Sequence, residues 1–253
     1  MIASFIWATS YYTVAIHKDG WLVVSVYFPQ SKLLPATFRV AGWKAFAPFT
    51  HWCWILLGVA FTSSSAICLV DGESPRWLLR LALVSWEIAA PCSFLVSAAV
   101  TYSIIPDCVR GGADLSDLFH PRSLIMHNIN ALCVFSEICL LGGLPITVDH
   151  IALAPLFGCI YVIFAWSTST LFVDPKIHGP QFFYNFMDTT IGWMASAALV
   201  ALLIVLMIGY FLMVMTFTAL EHLNDIGGGT VALVSSHMAV TLLLTCLVGR
   251  LRP

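Results

Sequence analysis

Thr190-Ile-Gly-Trp-Met-Ala-Ser-Ala-Ala-Leu-Val-Ala-Leu-Leu-Ile-Val-Leu-Met-Ile-Gly-Tyr-Phe-Leu-Met-Val-Met-Thr-Phe-Thr-Ala-Leu220 runs for 31 residues without a Lys, Arg, Asp, Glu or His. An α-helix rises about 1.5 Å per residue, so about 20 such residues cross the roughly 30 Å hydrocarbon core of a bilayer. This stretch has the length and apolarity of a membrane span, and four further runs share that character: 46–70, 77–105, 124–144 and 151–173. A sixth, 231–248, is shorter and carries Ser235, Ser236 and His237 as its polar cluster. The first run, Ile2–Ile16, is diluted by Ser4, Thr9, Ser10, Tyr11, Tyr12 and Thr13, and reads either as a seventh span or as an interfacial helix. It has neither a positive leading region nor a small-residue cleavage pattern, so it is not read as a removed leader.

The whole chain agrees with these runs. Of 253 residues, 60% are hydrophobic and 9% charged, against about 25% charged in soluble domains. The mean hydropathy is +0.92. The sequence therefore predicts an all-α, polytopic transmembrane helical bundle of six spans, with Ile2–Ile16 as the candidate seventh. It divides into an N-terminal segment, 1–45, a bundle, 46–248, and a short basic tail, 249–253. With a net charge of −2 and scattered cations, nucleic acid is excluded as a partner and membrane lipids are the expected one.

Cytoplasmic loops retain Lys and Arg. Lys18, Lys32, Arg39, Lys44, Arg110, Arg122, Lys176, Arg250 and Arg252 fall on one set of alternate segments, and only Arg76 and Arg80 on the other. This bias predicts an integral membrane protein with its C-terminus in the cytoplasm, in either the plasma membrane or an internal one. The connections hold turn formers such as Asp71-Gly72-Glu73-Ser74-Pro75 and Gly142-Gly143-Leu144-Pro145, and none is long enough to fold alone. Seven of eight cysteines lie inside spans, and no Cys-x-x-Cys pair occurs. Neither a disulfide framework, a metal site nor a cofactor is expected.

Function then rests on the few polar residues inside the spans. Asn130 and Glu137 lie seven apart on one helical stripe, with His127 one turn before Asn130. Such a stripe must be buried against protein, either as interhelical packing or as a site. Glu87 lies about 15 Å from one end of its span and Glu137 about 20 Å from the opposite end of its own, so their depths overlap. As a pair they fit a proton site, a divalent-metal site or a shared hydrogen bond. Thr50, His51, His127 and Asp188 cluster near the cytoplasmic ends of three spans, the residue types of a nucleophile, base and orienting acid. Residues of the headgroup zone have the same composition. His150, His178 and His222 read as solvated loop histidines, while Trp52, Trp54, Trp77 and Trp166 read as interfacial anchors or packing.

Four short strings come in a familiar order: Phe49-Thr50-His51-Trp52; His127-Asn-Ile-Asn130 with Glu137 seven residues on; Tyr161-Val-Ile-Phe164-Ala-Trp166; and Phe182-Phe-Tyr184-Asn-Phe186-Met-Asp188. Over about 46–188 the chain resembles the rolling stone-like membrane proteins, a group similar to the androgen-induced and androgen-dependent membrane hydrolases. In the hydrolase branch the resemblance implies a threonine nucleophile, here Thr50, and a histidine that together cleave esters of branched fatty-acid lipids. That branch has two histidines three apart, the second catalytic, whereas this chain has His127 and then Asn130. Asparagine cannot accept a proton as a base, so hydrolysis here would need His127 or His51. The His-x-x-Asn form is similar to the rolling stone side, which is linked to cell fusion and development and has no settled chemistry. Three readings follow in order: a rolling stone-like membrane protein of undefined activity, an intramembrane lipid-ester hydrolase, and a transporter using Glu87 and Glu137.

Overall fold

The computed structural model describes residues 1–17, 19–25, 27–110, 115–116, 118–138, 144–225 and 243, side chains at 107 and 220–225 excepted. It is mostly helical. α1 (Ile2–Tyr11) runs on through a π-helical turn, Tyr12–Ile16, to a two-stranded antiparallel ribbon of β1 (Trp21–Val24) and β2 (Thr37–Val40). α2 (Phe49–Leu69) and α3 (Arg76–Ala99) follow. A π turn, Val100–Ile104, continues α3 into α4 (Ile105–Arg110). α5 (Pro121–Leu124) passes through a second π turn, Ile125–Ile129, into α6 (Asn130–Ser136). α7 (Leu153–Thr168), the single turn α8 (Pro175–His178) and α9 (Trp193–Asp225) complete the described helices.

Four helical stretches among the described residues are long and apolar enough to cross a membrane: Phe49–Leu69, Arg76–Arg110, Val148–Thr168 and Trp193–Ala219. They fall on four of the runs anticipated from the sequence. The run at 124–144 is helical through Ile138, the last residue described before 144, and 139–143 lie outside the described residues. So does the sixth run, 231–248, apart from residue 243, with Ser235, Ser236 and His237, as well as the tail 249–253 and Lys18. Among the described residues, four spans are therefore supported. The ribbon β1–β2 is an addition to the all-α reading. It alternates, with Phe38 and Val40 buried and Thr37 and Arg39 exposed, as a strand with one covered face must. Gly20 begins it at φ +60, where a Cβ would lie 2.1 Å from the Val40 carbonyl oxygen, a position open only to glycine.

The core is built on the antiparallel pair α2 and α3. Pro48 and Pro75 hold extended ψ values of 139° and 134° just ahead of the two helices, where a missing N–H costs nothing. Trp54, Leu57, Ala60 and Phe61 of α2 are buried in one cluster with Trp86, Ala89, Ala90 and Cys92 of α3. α1 lies along the other side of α2, antiparallel to it. The Trp7 indole N–H donates to the Thr62 hydroxyl at 2.9 Å, and that of Trp54 donates to the Thr9 hydroxyl at 2.8 Å. Gly58 permits this approach, since a Cβ there would stand 2.9 Å from Ile6. α9 by contrast exposes Val200, Ile204, Val205, Ile208, Phe211, Leu212 and Met215, an apolar surface that only lipid or another apolar segment can cover.

Replacing Gly58 by valine overpacks the α1–α2 contact. The expected effect is a loss of about 1–3 kcal/mol, read as a lower thermal midpoint in detergent by tryptophan fluorescence. An unchanged midpoint would show that α1 does not depend on this seam.

Candidate functional site

A cavity of about 390 Å³ opens between the start of α2, the second half of α3, α7 and α9. Phe49, Leu95, Val96, Val100, Val162 and Leu206 supply its apolar wall. Val24 of β1 and residues 183–187 close one end. Thr50 stands on the wall, with little of its surface free, and Tyr184 brings its hydroxyl against the Thr50 side chain and the backbone at Phe49. Burial pushes the Tyr184 phenol up to about 12, so it stays a neutral donor at physiological pH. The Tyr161 hydroxyl is already engaged, donating to the Ala47 carbonyl at 2.7 Å. The volume lies within the range of about 300–1,000 Å³ common to small-ligand sites.

The other residues anticipated as a catalytic set are placed differently. His51 is buried on the same first turn as Thr50, with its ring 5.0 Å from that of Phe46. Its Nε2 and the Nδ1 of His127 have no hydrogen-bond partner among the described residues. No hydrogen bond among those residues joins Thr50 to either histidine. Asp188 is completely buried. Its Oδ1 accepts from the Thr190 N–H at 2.8 Å, capping the turn Thr189–Ile191, and its Oδ2 has no partner among the described residues. At rest, then, the cavity holds the threonine hydroxyl without a base hydrogen-bonded to it.

The polar stripe of α6 has a clear packing role at Asn130. Its Oδ1 accepts from the Ser97 hydroxyl at 2.9 Å and from the Ala131 N–H at 2.7 Å, while its Nδ2 donates to the Ser93 carbonyl at 3.3 Å. The Ser97 hydroxyl also reaches the His127 carbonyl. These bonds tie the π turn and α6 to α3. Glu137 is half-buried.

Glu87 has a different set of partners from the one anticipated. It is completely buried. Its Oε1 accepts from the Thr147 N–H at 3.1 Å, the Thr147 hydroxyl at 3.3 Å and the Tyr210 hydroxyl at 3.2 Å. Its Oε2 lies 2.6 Å from His150 Nδ1. The Tyr210 hydroxyl is also 2.7 Å from the Thr147 carbonyl. Glu137 is not among these partners. His150, read from sequence as a solvated loop residue, is thus a direct partner of a completely buried carboxylate. The signal that points to it is the demand of an intramembrane carboxylate for donors, but the sequence does not say which loop supplies them.

Gln181 was also silent in the sequence. It is fully buried, and its Oε1 accepts from the Ser25 hydroxyl at 2.5 Å and the Tyr27 hydroxyl at 3.1 Å. Its Nε2 donates to the carbonyls of Leu34 at 3.1 Å and His178 at 3.0 Å. The Tyr27 hydroxyl in turn accepts from the Phe182 N–H at 3.1 Å, and burial raises its phenol above the ordinary value. Phe38 packs on Phe172 and Phe183 at ring separations of 5.1 and 5.4 Å. This clasp seats the N-terminal ribbon over the segment that closes the cavity.

No group of three His, Cys, Asp or Glu residues is placed to hold a metal ion among the described residues. No family model, curated protein or solved structure matches the chain.

Replacing Gln181 by leucine leaves the Leu34 and His178 carbonyls and the Ser25 and Tyr27 hydroxyls without this partner. Each unmet buried group costs about 1–3 kcal/mol. The expected outcome is faster limited proteolysis between β1 and β2, at an unchanged cleavage rate in the turn between α2 and α3. Equal protection of both sites in the variant would deny the clasp its role.

Proposed function

We propose that this chain is a multi-pass membrane protein of the rolling stone-like type whose cavity receives an acyl chain of a membrane lipid. The observation that carries the reading is the cavity itself, about 390 Å³ and walled chiefly by apolar side chains, with the Thr50 and Tyr184 hydroxyls meeting on one side. An apolar hollow of that size favours hydrocarbon over water, since water in it would find few polar partners. Two hydroxyls at one place on the wall suit the polar junction of a lipid, where an ester or hydroxyl begins. The order of the four sequence strings supports the family assignment, and three of them, those at Phe49–Trp52, Tyr161–Trp166 and Phe182–Asp188, contribute residues to the cavity or its closing segment.

A second reading is favoured by the place of Thr50: an intramembrane lipid-ester hydrolase. In it the Thr50 oxygen attacks the ester carbonyl and an imidazole takes the hydroxyl proton. The alcohol leaves with a proton, and water later releases the acyl group from Thr50. The base would be His127 or His51, brought to Thr50 by a change of rotamer or by the bound lipid. Nδ1 of His127 and Nε2 of His51, which have no partner among the described residues, are the nitrogens offered for that task. The transporter reading rests on Glu87, completely buried, and Glu137, half-buried.

Two measurements separate these. Replacing Gly158 by leucine fills the cavity, since a Cβ there already stands 3.3 Å from Leu206. The protein purified from membranes is expected to lose most of its co-purifying lipid by mass spectrometry, whereas equal lipid content in wild type and variant rejects the cavity as a lipid site. For the hydrolase reading, labelling by a fluorophosphonate ester probe is expected in the wild type and absent in Thr50→Ala and His127→Ala. A folded wild-type sample that takes no label leaves lipid binding without hydrolysis.

A further inference from the structure

Glu87 is a carboxylate with none of its surface exposed, yet its partner His150 keeps 44% of its side chain exposed. Among the described residues, the contact between them links the interior acid by hydrogen bonding to the outside of the bundle through a group that both takes and gives protons. His150 ends the single turn Val148–His150 just ahead of α7, and the segment 144–150 folds inward far enough to bury Ile146 and to bring Thr147 to Glu87. Four donors converge on the two carboxylate oxygens, from this segment and from Tyr210 of α9. Pro91, inside α3, removes the N–H that would otherwise bond to the Glu87 carbonyl four residues earlier. The helix is thus loosened at the residue that holds the acid.

We propose that His150 is a proton port through which Glu87 exchanges one proton with the water at that end of the bundle. In the tautomer with hydrogen on Nδ1, His150 donates to Oε2. A hydronium ion gives a proton to Nε2, and the Nδ1 proton crosses the 2.6 Å contact to Oε2. The products are water, a neutral carboxylic acid and a neutral imidazole carrying its hydrogen on Nε2. One proton has entered and the pair has gone from a charge of −1 to zero. The reverse transfer resets it. Intramembrane carboxylates served by imidazoles are the usual parts of proton relays.

Among the described residues, few titratable groups meet this pair. Tyr210 donates to Glu87 from α9, and the charge of Asp149, next to His150 in sequence, is felt at Tyr210. α2 brings Cys53 against Cys92, five residues along α3 from Glu87. Cys159 and Tyr161 of α7 and Glu137 beyond α6 make no hydrogen bond to Glu87. Protonation of Glu87 removes the charge that Thr147 and Tyr210 are arranged to meet, so the inward fold of 144–150 is the structure most directly coupled to the proton.

The test uses the full chain in lipid nanodiscs, with infrared difference spectra recorded after a step to lower pH. A carboxylic-acid carbonyl band is expected in the wild type and absent in Glu87→Gln. In His150→Gln the band is expected to reach the wild-type amplitude about a hundredfold more slowly, the scale on which general acid–base groups act, and added imidazole restores the rate. Persistence of the band in Glu87→Gln overturns the assignment of the acid. Uptake in His150→Gln at the wild-type rate overturns the port. If Glu87→Gln does not fold, the rate comparison and the imidazole rescue decide the matter in the native Glu87 background.

Discussion

A carboxylate enclosed by apolar helices has to be surrounded by donors, because desolvating a charge costs several kcal/mol unless hydrogen bonds replace the lost water. Glu87 obtains its donors from α9 and from the segment ahead of α7, parts of the chain that begin about 60 residues downstream. Meeting that requirement draws the 144–150 segment into the bundle, sets the start of α7 and fixes the rotation of α9 through Tyr210. Since α3 also packs against α2, α6, α7 and α9, one buried acid on it orients much of the assembly. Asn130 does for the α3–α6 contact what Glu87 does for the others, with a neutral side chain and at lower electrostatic risk.

The bundle and the ribbon obey different rules. Among the helices, close approach depends on small residues: Gly58 against Ile6, Gly158 against Leu206, Gly209 against Phe94. There the apolar surroundings on both sides reward tight packing more than burial as such. The ribbon and the 178–188 segment instead use polar side chains fully enclosed by protein, with Gln181 bonded to two hydroxyls and two carbonyls. The cavity lies where these two regimes meet, which is why its wall is apolar while its closing end carries Tyr184 and Asn185.

Much of the fold was legible from apolar length alone. The helices at Phe49–Leu69, Arg76–Arg110 and Trp193–Ala219 follow from runs that water cannot accommodate. The ribbon was not legible, because Trp21–Val24 and Thr37–Val40 are four residues each, too short for alternation to stand out from the loop around them. Of the site, Thr50 and Glu87 were legible as residues that demand an explanation; the structure places Thr50 on the cavity wall and Glu87 among donors from α9 and the 144–150 segment. Their partners were not. His150 and Gln181 sit in connecting segments, where polar residues are ordinarily solvated, and only the folded path of the chain brings Gln181 to Ser25 across 156 positions. The suggested meeting of Glu87 with Glu137 rested on matched depth. Depth along a helix leaves its rotation open, and it is rotation that turns Glu87 toward Tyr210 and Thr147.

The clasp at Gln181 also bears on the order in which the protein is made. A ribosome releases residues 21–40 long before residues 178–183, and an isolated two-stranded ribbon is at best marginally stable on its own. Phe38 finds Phe172 and Phe183, and Ser25 finds Gln181, only after α7 has emerged and turned back. The N-terminal segment therefore stays unsettled through the insertion of α2, α3 and α7, exposing its strand edges for most of synthesis. It locks only when residues 172–183 are in place, so the seating of the ribbon reports that the chain has passed α7 and turned back over the closing end of the cavity.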